Sequence, residues 1–136
     1  NLEQTLTDSI GAFGRLSWNN GQNEISAFTD VDLAGSLGLS IKGNWWNRPD
    51  DRIGIGAAIT SISANHASYL ANGGLGVLVG DGALSYAAEN LIEGYYAFQI
   101  FKGLVATADY QFLNNPGYNT VRGPAHFFSG RLRASF

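Results

Sequence analysis

Segments of about ten residues in which every second side chain is apolar recur along this chain, and that period confines them to β-strands whose two faces meet unlike surroundings. In the closing stretch HFFSGRLRASF, Phe128, Gly130, Leu132, Ala134 and Phe136 are apolar or small, whereas Ser129, Arg131, Arg133 and Ser135 are polar or cationic. SIGAFGRLSW sets Ile10, Ala12, Gly14, Leu16 and Trp18 against Arg15 and Ser17. GSLGLSIKGNWW sets Leu37, Leu39, Ile41 and Trp45 against Ser36, Ser40, Lys42 and Asn44, and RIGIGAAITSIS sets Ile53, Ile55, Ala57 and Ile59 against Gly54, Gly56, Ala58 and Thr60. In NLIEGYYAFQIF, Ile92, Gly94, Tyr96, Phe98 and Ile100 oppose Glu93, Tyr95 and Gln99. In LVATADYQF, Leu104, Ala106, Ala108, Tyr110 and Phe112 oppose Thr107, Asp109 and Gln111. The expected strands are 9–18, 34–46, 52–63, 90–101, 104–113 and 126–136, antiparallel in one continuous curving sheet.

A tilted strand crosses a bilayer in about ten residues. The links between these strands alternate in length: short at NRPDD and at Lys102-Gly103, long near 19–33, 64–90 and 113–125, so that short and long links fall at opposite ends. Outer-membrane barrels have this asymmetry, with tight turns on the periplasmic side and long loops outside. Trp18, Trp45, Tyr96, Tyr110, Phe112 and Phe136 then sit near strand ends, where aromatic girdles meet lipid headgroups. On this reading the apolar face meets lipid, the polar face meets water in a lumen, and Phe136 closes the last strand at the periplasmic rim. Leu37, Leu39, Ile41, Ile53, Ile55, Ile59, Ile100, Leu104 and Leu132 are expected to face lipid.

Composition weighs against the soluble alternative. A β-sandwich also alternates in and out, but only 14% of this chain is charged, where an ordinary soluble domain carries about 25%. The second face of the strands carries Gly11, Phe13, Gly38, Gly54, Gly56 and Tyr95, too few charges for a water-exposed surface. No apolar stretch approaches the roughly 20 residues of a membrane-spanning helix. The net charge of -3 comes without a basic stripe, which argues against nucleic acid as a partner. The absence of cysteine excludes a disulfide framework and a thiolate metal site. NLEQTLTDS has neither the basic start nor the apolar core of a signal peptide, and the chain does not open with methionine, so a processed product or a fragment is expected. Small sealed barrels need about eight strands and aqueous channels about 16 to 18, so about six cannot enclose a pore. Residues 1–136 are therefore expected to form part of a single, larger transmembrane β-barrel domain.

Several dense motifs carry a family resemblance. NRPDDRIGIG, YLANGGLGVLVGDGALSYAAENLIEGYY, NNPGYNTVRGPA and the ending GRLRASF resemble, in the same order, the C-terminal region of the carbohydrate-selective outer-membrane porins of the OprB family. The likeness runs from about Ile10 to Phe136. It implies about six C-terminal strands of a monomeric 16-stranded barrel in the bacterial outer membrane, through which glucose and other sugars diffuse. The implied partners are carbohydrates as permeating solutes, outer-membrane lipid, and the remaining N-terminal strands of the same barrel.

The strand phase supplies candidate pore-lining residues. Arg15, Lys42, Glu93, Asp109, Arg131 and Arg133 point to the polar side, where a charge stays hydrated. With Tyr95, Gln99 and Gln111 they could exchange hydrogen bonds with a passing sugar without trapping it. Counting from the short turns and the C-terminus puts Arg15, Lys42, Asp109 and Arg131 at similar depth, and Asp109 and Arg131, on adjacent strands, are expected to form a cross-strand ion pair.

Other features carry less. GGLGVLVGDG lacks the following helix and the Lys-Ser or Lys-Thr of a phosphate loop, and reads as a long loop folded inward. His66 and His126 have no Cys or second His at ligand spacing, so neither a metal nor another cofactor is expected. An outer-membrane hydrolase using Ser129 or Ser68 with one of these histidines, or a sugar-binding or adhesion β-domain, are the competing readings of a chain otherwise expected not to be an enzyme.

Overall fold

The computed structural model describes residues 1–23, 30–76, 79 and 85–136. They contain β1 (Leu2–Thr7), β2 (Ile10–Trp18), β3 (Leu33–Gly43), β4 (Arg48–Ser61), β5 (Glu89–Phe101), β6 (Leu104–Asn114) and β7 (Ala125–Ala134). All pair antiparallel in one sheet in chain order, an up-and-down meander with β1 and β7 at its edges. The six expected strands are present, and β1 adds a seventh that pairs Leu2 with Gly14 and Glu3 with Phe13.

Links alternate as the sequence implies. Residues 8–9, 44–47 and 102–103 turn the chain at one end, and 19–32, 62–88 and 115–124 connect at the other. The turn after β5 uses Gly103 at φ 92, a left-handed conformation that a side chain resists. The turn after β3 is a 3-10 segment, Asn44–Trp46, closed by Asn47 at φ 59, so Trp45 lies in the turn instead of continuing β3.

Neither face of the sheet is covered by a second layer of strands among the described residues. The buried apolar residues Ile62, Leu70, Val79 and Tyr118 sit together at the long-link end, with Val31 and Ala67 packed on them. Helix α1 (Ala64–Ala71), capped by the Ser63 hydroxyl accepting from the His66 N–H, brings Ala67 and Leu70 to this cluster. The strand aliphatics stay outside it: Leu37 is 65% exposed, Ile55 53% and Leu132 68%. Leu39, Ile59 and Ile100 are likewise exposed, and Ile41, Ile53 and Leu104 are half-buried by their neighbours on the sheet. A soluble sandwich would bury these side chains. A sheet whose aliphatic face stays bare is built for an apolar solvent.

The short-turn end is fastened by one buried carboxylate. Asp51, 1% exposed, receives Arg48 Nε at 2.5 Å and Nη2 at 3.2 Å, the Gln99 N–H at 2.8 Å, and the Tyr96 hydroxyl. The Arg48 guanidinium also donates to the Gln99 carbonyl at 2.8 Å and lies 4.0 Å over the Phe98 ring. The motif NRPDD is therefore more than a turn: it runs into β4 and ties β4 to β5.

Candidate functional site

Side chains paired across an antiparallel ladder share a face, so the register sorts every strand residue. One face gathers Ile10, Leu39, Ile55, Gly94 and Tyr110 with their neighbours two residues along. The other collects all nine expected residues, Arg15, Lys42, Glu93, Tyr95, Gln99, Asp109, Gln111, Arg131 and Arg133. It also carries Phe13, expected on this face but not among the pore-lining candidates, and Arg52, which the sequence reading passed over. The parity of Arg52 with Gly54 was the signal that could have found it.

Rows of this polar face run across the sheet. Nearest the long links, Ser17, Ala34, Thr60 and Glu89 share a row, and Arg15 follows with Ser36, Ala58, Leu91, Leu113 and Ala125. The next row is Glu3, Phe13, Gly38, Gly56, Glu93, Gln111 and Phe127. Thr5, Gly11, Ser40, Gly54, Tyr95, Asp109 and Ser129 follow. Lys42, Arg52, Ala97, Thr107 and Arg131 form a row near the short turns, and Gln99, Val105 and Arg133 lie beyond it.

This register corrects two expectations. Lys42 lies six positions along β3 from Ser36, the partner of Arg15, roughly 20 Å at about 3.4 Å per residue, so the four charges do not share one level. Arg131 shares its row with Lys42, and Asp109 lies one row away. Nor do Asp109 and Arg131 pair. Arg131 faces Thr107, Asp109 faces Ser129, and the Ser129 hydroxyl donates to the Asp109 carboxylate at 3.2 Å. Among the described residues no carboxylate comes within ion-pair distance of Arg15, Lys42, Arg52, Arg131 or Arg133. Glu3, Glu93 and Asp109 sit in the middle rows, Glu89 and Arg15 lie toward the long links, and the other four cations crowd toward the short turns.

Two aromatic rings lie against glycines on this face. A Cβ on Gly38 would stand 2.5 Å from Phe13 Cε1, and one on Gly54 2.1 Å from Tyr95 Cε1. A side chain at either position would push its ring off the wall, so the glycines let Phe13 and Tyr95 pack against the strand backbone. The Arg15 guanidinium sits 5.7 Å from the Phe13 ring centre. Phe13, Ser40, Arg52, Gly54, Glu93 and Tyr95 are among the residues that line a trough of about 410 Å3.

The long links build a second cavity, about 490 Å3, whose walls include Asp30, Asp32, Asn65, His66 and Tyr69. Asp32 organises it: its carboxylate accepts the Ser63 N–H at 2.7 Å and contacts His66 Nδ1 at 3.3 Å. Burial alone would raise the Asp32 pKa, but hydrogen bonds from Ser63 and the nearby His66 outweigh it and hold the carboxyl below its ordinary value. The glycine-rich segment expected to fold inward lies partly outside the described residues. His126 lies on the apolar face, its Nδ1 2.9 Å from the Tyr110 hydroxyl, whereas Ser129 lies on the polar face.

The comparisons with known proteins agree with this geometry. A family model described as carbohydrate-selective porin, OprB family, matches residues 1–136. Among solved structures, that of Pseudomonas putida OprB at high pH superposes with a TM-score of 0.70 at 22% sequence identity, covering 93% of this chain. At that identity the likeness establishes the fold, and this chain spans 30% of the length of that one. A search of curated proteins finds no match.

Proposed function

The chain belongs to the OprB family of carbohydrate-selective porins, and on that premise we propose that it supplies seven neighbouring strands in the wall of a channel through which sugars diffuse passively. Members of the family are bacterial outer-membrane β-barrels, so lipid solvates the aliphatic face and water fills the space over the polar one. On this proposal the rest of the wall comes from further strands of the same barrel, with residues 1–136 as its C-terminal part.

The observation that carries this reading is the register, which puts Glu93, Tyr95, Asp109, Gln111 and cations that have no ion-pair partner among the described residues on one face. Sugars are neutral and rich in hydroxyls. A lining that mixes donors and acceptors exchanges hydrogen bonds with a passing ring, and no contact is strong enough to hold it. On this face Arg15, Lys42, Arg52, Arg131 and Arg133 stand against Glu3, Glu89, Glu93 and Asp109, and four of the five cations lie in the two rows nearest the short turns, so the field there favours small anions over small cations.

The family and the fold are those of a channel, and we read no catalytic role into the chain. Ser129 and His126 lie on opposite faces of β7, which supports that choice over a hydrolase. Passive diffusion requires no cofactor.

Liposome swelling tests the proposal. Vesicles containing the channel should swell in isotonic glucose, and more slowly in longer oligosaccharides. Equal rates with and without protein for every monosaccharide would refute it.

A further inference from the structure

Lys42 and Arg52 stand directly opposite each other on β3 and β4, with Cβ atoms about 5 Å apart. Like charges in that relation are destabilising, and no carboxylate lies within ion-pair distance of either among the described residues. The surrounding ladder otherwise follows the rules of its period, and a local departure from those rules marks function. Both side chains are exposed on the polar face, so a lipid phosphate on the far side of the sheet does not reach them. Anionic solute in the lumen has direct access to both as a counter-ion.

What that solute is follows from what adjoins the pair. Gly54 is two positions beyond Arg52 on β4, about 7 Å along the strand, and the Tyr95 ring lies against it. A pyranose ring spans roughly that distance and presents a face of C–H groups suited to an aromatic surface. Ser40, Arg52, Gly54, Tyr95 and Glu93 share the 410 Å3 trough, within the range of about 300–1,000 Å3 typical of small-molecule sites. Lys42 and Arg52 border the adjoining hollow of about 240 Å3, together with Glu3 and Asp8. Those two acids temper the pair from the β1 side without contacting it. Glu93 is two rows from Arg52, about 14 Å along the strands, beyond the screening length of about 8 Å at physiological salt.

We infer that this trough is a subsite for an anionic monosaccharide, whose ring rests on Tyr95 and whose carboxylate or phosphate is taken by Lys42 and Arg52. The inference rests on the channel function proposed above and narrows its substrate class. A neutral hexose uses only the ring platform. An acidic one gains the cation pair as well, and an arginine fork with an adjacent ammonium suits a carboxylate or phosphate.

The test uses the intact channel in planar bilayers at 0.1 M KCl and compares half-blocking concentrations of glucose, glucuronate and acetate. Glucuronate, a pyranose that carries a carboxylate, should block at roughly a fifth of the glucose concentration or less, as two exposed charge contacts supply. Acetate, which lacks the ring, should block far more weakly than glucuronate. In Lys42→Gln/Arg52→Gln the preference for glucuronate over glucose should disappear, and Tyr95→Ala should weaken block by both sugars. A measurement on the unmodified channel guards against variants that fail to insert: raising KCl to 1 M should weaken glucuronate block much more than glucose block. Glucuronate block no tighter than glucose block, or block insensitive to salt, overturns the subsite and leaves the sugar channel standing. Acetate blocking as well as glucuronate reduces the site to a bare anion site and also overturns it. If neither sugar blocks while vesicles still swell in glucose, the subsite falls alone; if swelling fails too, the channel reading itself fails.

Discussion

Replacing Gly54 with alanine should move one side chain into the pore and leave the sheet intact. The new methyl would stand 2.1 Å from Tyr95 Cε1 and 2.3 Å from Cζ, where ordinary contact begins near 3.4 Å, so the ring must shift by at least about 1.3 Å. The backbone does not obstruct, because the nearest atoms belong to the far end of one side chain. Overpacking costs about 1–3 kcal/mol, here at the low end since the ring is free to swing toward the lumen. Alanine in place of glycine inside a strand returns about 0.5–1 kcal/mol. Stability should thus change by less than about 1 kcal/mol, while the platform at Tyr95 is lost and the lumen narrows. Planar-bilayer recordings should give lower conductance and weaker block by glucose. Two variants complete the test. Gly130→Ala, with nothing within 4 Å of its new methyl, should behave as the parent. Adding Tyr95→Ala to Gly54→Ala should restore conductance without restoring block. If Gly54→Ala matches Gly130→Ala in both conductance and sugar block, the Tyr95 ring does not lie against Gly54 on the lumen side.

Asp51→Ala leaves the Tyr96 hydroxyl and the Gln99 N–H without their acceptor and Arg48 without its partner; a loss of roughly 3 kcal/mol is expected in urea titrations of the channel folded in vesicles. Asp32, whose pKa is depressed in the folded chain, contributes stability that is present above its ordinary value of 3.8 and lost as pH falls through the lower folded value. Hydrogen exchange at the Ser63 and His66 amides, corrected for intrinsic rates, should therefore lose protection below about pH 4 and show none of this loss in Asp32→Asn, where protection is low throughout. Arg131→Ala should shift ion selectivity toward cations while changing stability by less than about 0.5 kcal/mol, because no carboxylate among the described residues pairs with it; reversal potentials across a salt gradient and urea midpoints read the two effects separately.

Strand existence was legible because lipid on one side and water on the other enforce alternation over whole crossings, as in Phe128 to Ala134. β1 escaped because LEQTLT is only six residues long and its Leu2, Gln4 and Leu6 give a broken apolar series. The start of β4 escaped for a different reason. Pro49 and two aspartates signal a turn, and the pairing of Arg48 with Gly43 across a bulge, together with the contacts of Asp51 with β5, draws Arg48–Asp51 into the strand. Which residue faces lumen is a matter of parity within one strand, and all nine candidates fell on one face. Which residue stands beside which depends on register between strands, and that is set by turn geometry and bulges. The irregularity between Gln99 and Phe101, next to the Lys102-Gly103 turn, helps to set how β6 lies on β5. The ten-residue link 115–124 does the same for β7 on β6. The Asp109–Arg131 pair was one row out for this reason, and the Lys42–Arg52 pair stayed hidden. Glycines that seat Phe13 and Tyr95 read in sequence only as weak strand residues, since their purpose lies on the neighbouring strand.

The central claim is that one face of these strands meets water in a channel and the other meets lipid. The chain contains no cysteine, so single thiols placed in turn at Phe128, Ser129, Gly130, Arg131, Leu132 and Arg133 report their own surroundings. A charged, membrane-impermeant methanethiosulfonate applied to the channel in bilayers should react at Ser129, Arg131 and Arg133 and alter the current, and should leave Phe128, Gly130 and Leu132 unmodified. Reaction at every position, or at the aliphatic positions alone, would contradict the account.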